Sequence, residues 1–98
     1  MSQKAIVTLE ANLKDDCIDN FFYLLSKYLP ETKMYDGFIS IKIHQCTTEN
    51  TIVLHQEWES ITHYEAYLRW RTDNGVMHIL RANFTSDPII KYWNTVIV

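Results

Sequence analysis

Glycine and proline are scarce in this chain, with only Gly37, Gly75, Pro30 and Pro88 among 98 residues. Two isolated glycines cannot form a G-x-G-x-x-G turn or a P-loop, so the usual backbone cradle for a nucleotide, flavin or nicotinamide phosphate is missing. The two cysteines, Cys17 and Cys46, are too few for a disulfide framework and are not spaced as metal ligands. A reducing, cytoplasmic setting is therefore expected. No His-x-x-x-His or Glu-x-x-His pair occurs, and no metal site is expected either. Nine Lys and Arg face twelve Asp and Glu, a formal charge of −3 without a basic run, which argues against nucleic acid as a partner. No apolar stretch reaches bilayer length, and Met1 to Lys4 lead straight into a strand-like stretch rather than a signal-peptide core, so no membrane partner is expected.

What the chain does have is aromatics, 13% of residues with three Trp and six Tyr, a content suited to a pocket or an interface. Its length fits a single domain spanning residues 1–98, small enough to gain from a partner that covers more apolar surface. From Lys4 to Asn12, Ala5, Val7, Leu9 and Ala11 alternate with polar residues and predict a strand. Asp15 or Asp16 is the expected cap of a helix carrying Ile18, Phe21, Phe22 and Leu25, which Pro30 is expected to close. A loop ending in Asp36-Gly37 leads to a second strand, Phe38 to Cys46, with Ile39, Ile41 and Ile43 on one face. Thr51 to Trp58 returns as its hairpin partner. Ser60 caps a second helix bearing Ile61, Tyr64, Tyr67 and Leu68, Val76 to Ala82 forms a short third one, and Pro88 opens a final strand, Ile89 to Val98. The order β-α-β-β-α-β predicts an α+β, ferredoxin-like fold with helices on one sheet face. The other face, expected to carry Ile6, Phe38, Val53 and aromatics of the last strand, suits a homodimer interface better than water.

The stretch Gln56 to Gly75 carries Trp58, Ser60, Tyr67, Leu68, Trp70, Arg71, Thr72 and Gly75 in the order Trp-x-Ser, Tyr-Leu-x-Trp-Arg, Thr-x-x-Gly. This pattern resembles the antibiotic biosynthesis monooxygenase family, and Pro30 to Gly37 and Pro88 to Tyr92 extend the resemblance over nearly the whole chain. The resemblance implies a dimeric α+β barrel with two sheets face to face and a pocket between sheet and helices in each subunit. It also implies a cofactor-independent monooxygenase acting on a quinol or polyphenolic aromatic. Non-catalytic binding of an aromatic small molecule and haem binding or degradation are the alternatives. Gln56 stands where the family often has Glu, and the family's haem-relative Trp and axial His fall on Tyr67 and Met77.

Such an oxygenase needs an aromatic, water-poor pocket, a proton acceptor to form an electron-rich phenolate, and polar groups that hold the anion. Tyr67 lies three residues from Trp70 and four from Arg71, so one helix can bring them to a common cavity. With Gln56 and Tyr64 they form the candidate substrate-binding set. His78 is the candidate catalytic base, because imidazole ordinarily titrates near neutrality. Tyr64, Tyr67 and Leu68 equally fit the buried stripe of an amphipathic helix, and Trp70 with Arg71 equally fits a stacked pair at a dimer contact.

Overall fold

In the computed structural model, which describes residues 4–98, alternation and turn chemistry give seven elements. They are β1 (Ala5–Asn12), α1 (Ile18–Lys33), β2 (Phe38–Gln45), β3 (Thr51–Trp58), α2 (Ile61–Asp73), α3 (Val76–Arg81) and β4 (Ile89–Trp93). The strands form one antiparallel sheet in the order β2-β3-β1-β4, with the ferredoxin-like split β-α-β connection. Register places Val7 opposite Gln56 and Leu9 opposite Leu54, so the inward rows of the two central strands coincide. Phe21 and Leu25 of α1 close over Leu9, Ile52, Leu54 and Phe84, while Trp58 and Tyr64 pack with Ala5 and Val7 in a second cluster. Among the described residues, no helix is long and apolar enough to cross a membrane.

The structure corrects four expectations. Helix α1 does not stop at Pro30 but continues to Lys33, with the exposed proline inside it. Proline costs a helix one N–H bond, and here contacts from another element hold the following turn: Thr32, 3% exposed, hydrogen-bonds to Tyr67. Cys17, not Asp15 or Asp16, precedes α1, and Asp15 instead accepts from Asn50 Nδ2 at 2.7 Å. Phe38 lies on the helix side of the sheet, 5.4 Å from the Trp58 ring, because a bulge between Phe38 and Ser40 shifts the pleat and leaves Ile39 exposed. Strand β4 ends at Trp93 rather than Val98, since among the described residues it pairs with β1 alone and Trp93 already pairs with Ile6, one residue from the start of that strand.

Ser60 caps α2 as expected, its Oγ accepting from the His63 N–H at 3.1 Å. Both glycines have positive φ, +88° at Gly37 and +84° at Gly75, which a Cβ disfavours. They differ in surroundings: a Cβ on Gly37 would overlap the His63 ring, whereas one on Gly75 would meet nothing. Gly75→Ala should therefore lose about 1–2 kcal/mol, the left-handed backbone cost alone. Gly37→Ala should lose clearly more, because the bulge entrance or His63 must also shift. Urea unfolding of the two variants side by side checks this, and equal losses would refute the steric part.

Candidate functional site

Helix α2 lies across the gap between α1 and the sheet, and its spacing decides what points into that gap. Tyr64, Tyr67 and Arg71 follow one another at helical intervals on its inner side, opposite Tyr28 and Thr32 of α1 and above Gln56 of β3. These six groups line a cavity of about 50 Å³ whose remaining wall is aliphatic, with Met77 of α3 at one side. In this closed form it is far smaller than the roughly 300–1,000 Å³ typical of pockets that bury an organic ligand. A ring can occupy it only if side chains around it repack.

Arg71 organises the polar side of the cavity. Its side chain is 2% exposed and reaches α1, where Nη2 donates to the Tyr28 carbonyl at 2.8 Å and to Thr32 Oγ1 at 3.0 Å. Its Nε donates to Tyr67 Oη at 3.0 Å, and Tyr67 Oη and Thr32 Oγ1 share a further bond of 2.7 Å. Guanidinium, phenol and hydroxyl thus form a closed triangle joining the two helices. The face of Trp70 covers the guanidinium at 4.4 Å and stacks in turn on Tyr35, with ring centroids 5.2 Å apart. Glu31 Oε1 stands 3.5 Å from Nη1, near enough to pair electrostatically, yet Nη1 is buried and makes no hydrogen bond among the described residues.

Tyr64 is also buried, 1% exposed. Burial pushes its hydroxyl well above the ordinary value of 10.0, the neighbouring Tyr92 and Tyr67 phenols push the same way, and the Gln56 amide opposes them. It therefore remains a neutral phenol at physiological pH. Gln56 is fixed by the Trp58 indole, whose Nε1 donates to Oε1 at 3.1 Å. A neutral amide suits this buried position because it brings no charge that would need a partner.

Of the residues singled out from sequence, Gln56, Tyr64, Tyr67 and Arg71 come together on one cavity. Trp70 stands behind Arg71 instead of lining it, and His78 is exposed on α3 while its neighbour Met77 faces the space. No carboxylate or imidazole is among the lining residues, and no cluster of three His, Cys, Asp or Glu able to hold a metal occurs among the described residues. With Met77 in the place of an axial histidine, this lining offers haem no nitrogen ligand. Sequence reasoning missed Glu31 and Thr32, because it ended α1 at Pro30, and it placed Tyr28 on the apolar stripe of that helix rather than at the site. The stripe Phe21, Leu25, Tyr28, Thr32, at steps of four, three and four, was the available signal for a helix running past the proline.

This geometry, a one-sided ferredoxin-like sheet with an aromatic cavity beneath its helices, defines the structural class, and comparison with known proteins supplies the family. The family model described as antibiotic biosynthesis monooxygenase matches residues 5–72, and the chain belongs to that family. No curated protein matches it in sequence. The fold is similar to that of a conserved protein from Methanosarcina mazei Go1, with a TM-score of 0.85, 15% identity, and coverage of 95% of this chain and 93% of that one. It is also similar to an antibiotic biosynthesis monooxygenase, with a TM-score of 0.83, 13% identity, and coverage of 95% and 99%. A monooxygenase of Streptomyces coelicolor, solved in complex with nanaomycin D, has a TM-score of 0.76, 15% identity, and coverage of 96% and 90%.

The raised Tyr64 value gives a pH prediction. Since the folded state holds this proton more tightly than the unfolded chain, folding stability is unaffected below pH 10, the ordinary tyrosine value, and falls as pH rises beyond it. Tyr64→Phe should flatten that alkaline decline in denaturant titrations at pH 9 to 11, while changing stability at pH 7 by no more than about 1 kcal/mol. An unchanged slope would refute the assignment.

Proposed function

We propose that this protein is a cofactor-independent monooxygenase that oxidises a quinol or polyphenolic aromatic with dioxygen. The observation that carries the reading is the largely apolar cavity, lined by Tyr28, Tyr64 and Tyr67 among aliphatic side chains and bounded on its polar side by the Arg71–Tyr67–Thr32 triangle. Family membership agrees with it.

An electron-rich phenolate can give an electron to dioxygen without a cofactor, and the radical pair then forms the new C–O bond. The balance is phenol plus O2 giving quinone plus water. One oxygen atom enters the ring, and the other leaves as water with the ring hydrogen and a proton from solvent, which replaces the one the phenol lost on ionising. The chain's residues would exclude water, orient the ring against Tyr64 and Gln56, and stabilise negative charge beside Arg71. A substrate that arrives already ionised needs no carboxylate or imidazole at the cavity. The ring gains access by displacement of the six-residue helix α3, which supplies Met77 and follows the αL Gly75.

The working form in this proposal is a homodimer joined through the outer sheet face, where Ile6, Val53, Ile89 and Trp93 lie among Lys42, His55 and Glu57. A second reading, a dimeric module that binds an aromatic molecule without turnover, is favoured by one observation: no carboxylate or imidazole lines the cavity.

Dioxygen consumption by the metal-free protein with hydroquinones and naphthol-type phenols, against a no-protein control, separates the two readings. Turnover should exceed autoxidation and fall roughly tenfold to a hundredfold in Tyr67→Phe. His78→Ala, run alongside, should leave it unchanged, and a loss there would restore His78 as the base. Ligand-induced quenching of tryptophan fluorescence with no turnover across the panel would establish the binding module instead. Light scattering at micromolar concentration should give twice the chain mass, and a monomer would remove the dimer.

A further inference from the structure

Tyrosine and tryptophan rings give up one electron far more readily than aliphatic or amide groups, and here they follow one another across the molecule. From Tyr67 at the cavity, the Trp58 ring centroid is 4.9 Å away, Tyr64 lies a further 5.7 Å on, and Tyr92 a further 6.1 Å. On its other side Tyr67 meets Tyr35 at 5.3 Å, and Tyr35 stacks on Trp70 at 5.2 Å. Packing alone accounts for such spacings, but not for the opposite charges at the two ends of the series. The Arg71 guanidinium lies 4.4 Å from the Trp70 ring and 5.4 Å from Tyr67, and a fixed cation opposes an electron vacancy beside it. Tyr92, at the other end, is 43% exposed. Burial raises its hydroxyl pKa, and the nearby Glu65 carboxylate raises it further, so this end carries a negative charge that favours a vacancy. Between the ends Trp58 is fully buried, its indole N–H held by Gln56 Oε1.

We propose that these rings form an electron-supply route that repairs a radical stranded in the cavity, with Tyr92 as its surface terminus. The inference rests on the oxygenase reading for the origin of the radical, but conduction through the rings does not depend on turnover. If superoxide escapes before the C–O bond forms, a phenoxyl radical stays behind. It returns to phenol by taking one electron from the rings and one proton from solvent. The vacancy passes through Tyr67, Trp58 and Tyr64 to Tyr92, which releases its hydroxyl proton to water beside Glu65 and becomes a neutral tyrosyl radical. A soluble thiol then restores Tyr92 by giving it one electron and one proton, and is itself left as a thiyl radical.

The test places a photo-oxidant at the cavity end. Cys17→Ser and Cys46→Ser remove the native thiols, Met77→Cys carries a ruthenium polypyridyl label, and flash-quench oxidation is followed by transient absorption of tryptophanyl and tyrosyl radicals. Should the labelled Met77→Cys chain fail to fold, Ile79→Cys carries the label from the exposed side of the same helix. A tryptophanyl radical should appear first and convert to a tyrosyl radical. Tyr92→Phe should remove most of the tyrosyl signal and prolong the tryptophanyl one, and Glu65→Gln should slow the conversion severalfold. Tyr23→Phe, which alters an exposed ring outside the series, should change neither. A tyrosyl yield unchanged in Tyr92→Phe, a loss as large in Tyr23→Phe, an unchanged rate in Glu65→Gln, or no ring radical at all would each overturn the proposal. A vacancy that reaches Tyr92 in a protein that consumes no dioxygen would remove the oxygenase reading and leave the conduction route standing.

Discussion

A single buried cation connects the parts of this molecule that matter for ligand chemistry. Arg71 leaves helix α2, crosses to α1 and donates to a main-chain carbonyl, a threonine hydroxyl and a phenol, all within 3.0 Å. Without it, Tyr28, Thr32 and Tyr67 would each lose a hydrogen bond, and the Thr32–Tyr67 bond would be the one side-chain hydrogen bond left tying the last turn of α1 to α2 among those the guanidinium organises. The triangle also sets the spacing between the two helices and so the width of the cavity beneath them. A guanidinium suits this better than an ammonium, because its donors sit on separate nitrogens of a rigid planar fork, here Nε toward Tyr67 and Nη2 toward α1.

The aromatic content that stands out in the composition is explained by this arrangement. Trp58 is a core anchor between Tyr35, Phe38, Tyr64 and Tyr67, with ring centroids 4.9 to 6.3 Å away. Trp70 and Tyr35 lie above Arg71 as a stacked lid, so the charge is shielded by π faces on one side and meets the cavity on the other. Trp93 is different: it sits on the outer sheet face, 50% exposed, its indole donating to Thr8 Oγ1 at 2.7 Å. One residue type thus serves a core, a lid and an outer surface.

Much of the architecture was legible before any coordinates. Period-two alternation in β1 named the inward residues correctly, and the Ser60 cap and helical spacing located α2. Where the reading failed, a longer-range contact had overridden a local rule. Pro30 ordinarily marks a helix end, but hydrogen bonds to Thr32 from residues some 35 and 39 positions away carry the helix onward. Phe38 belongs by strict alternation to the outer face, but the bulge beside Gly37 turns it inward against Trp58. His78 and Met77 are neighbours in sequence, and only the docking of α3 decides which of them meets the cavity.

The sequence by itself determined the element order, the one-sided sheet and the family pattern from Trp58 to Gly75, because these depend on periodicity, turn chemistry and residue type, which are local. Tertiary structure alone decided that Arg71 is buried, that Thr32 and Tyr28 belong to the site, and that one guanidinium nitrogen has no hydrogen-bond partner among the described residues. Those facts depend on which atoms of distant segments come within 3 Å of each other. No pattern along the chain encodes that distance.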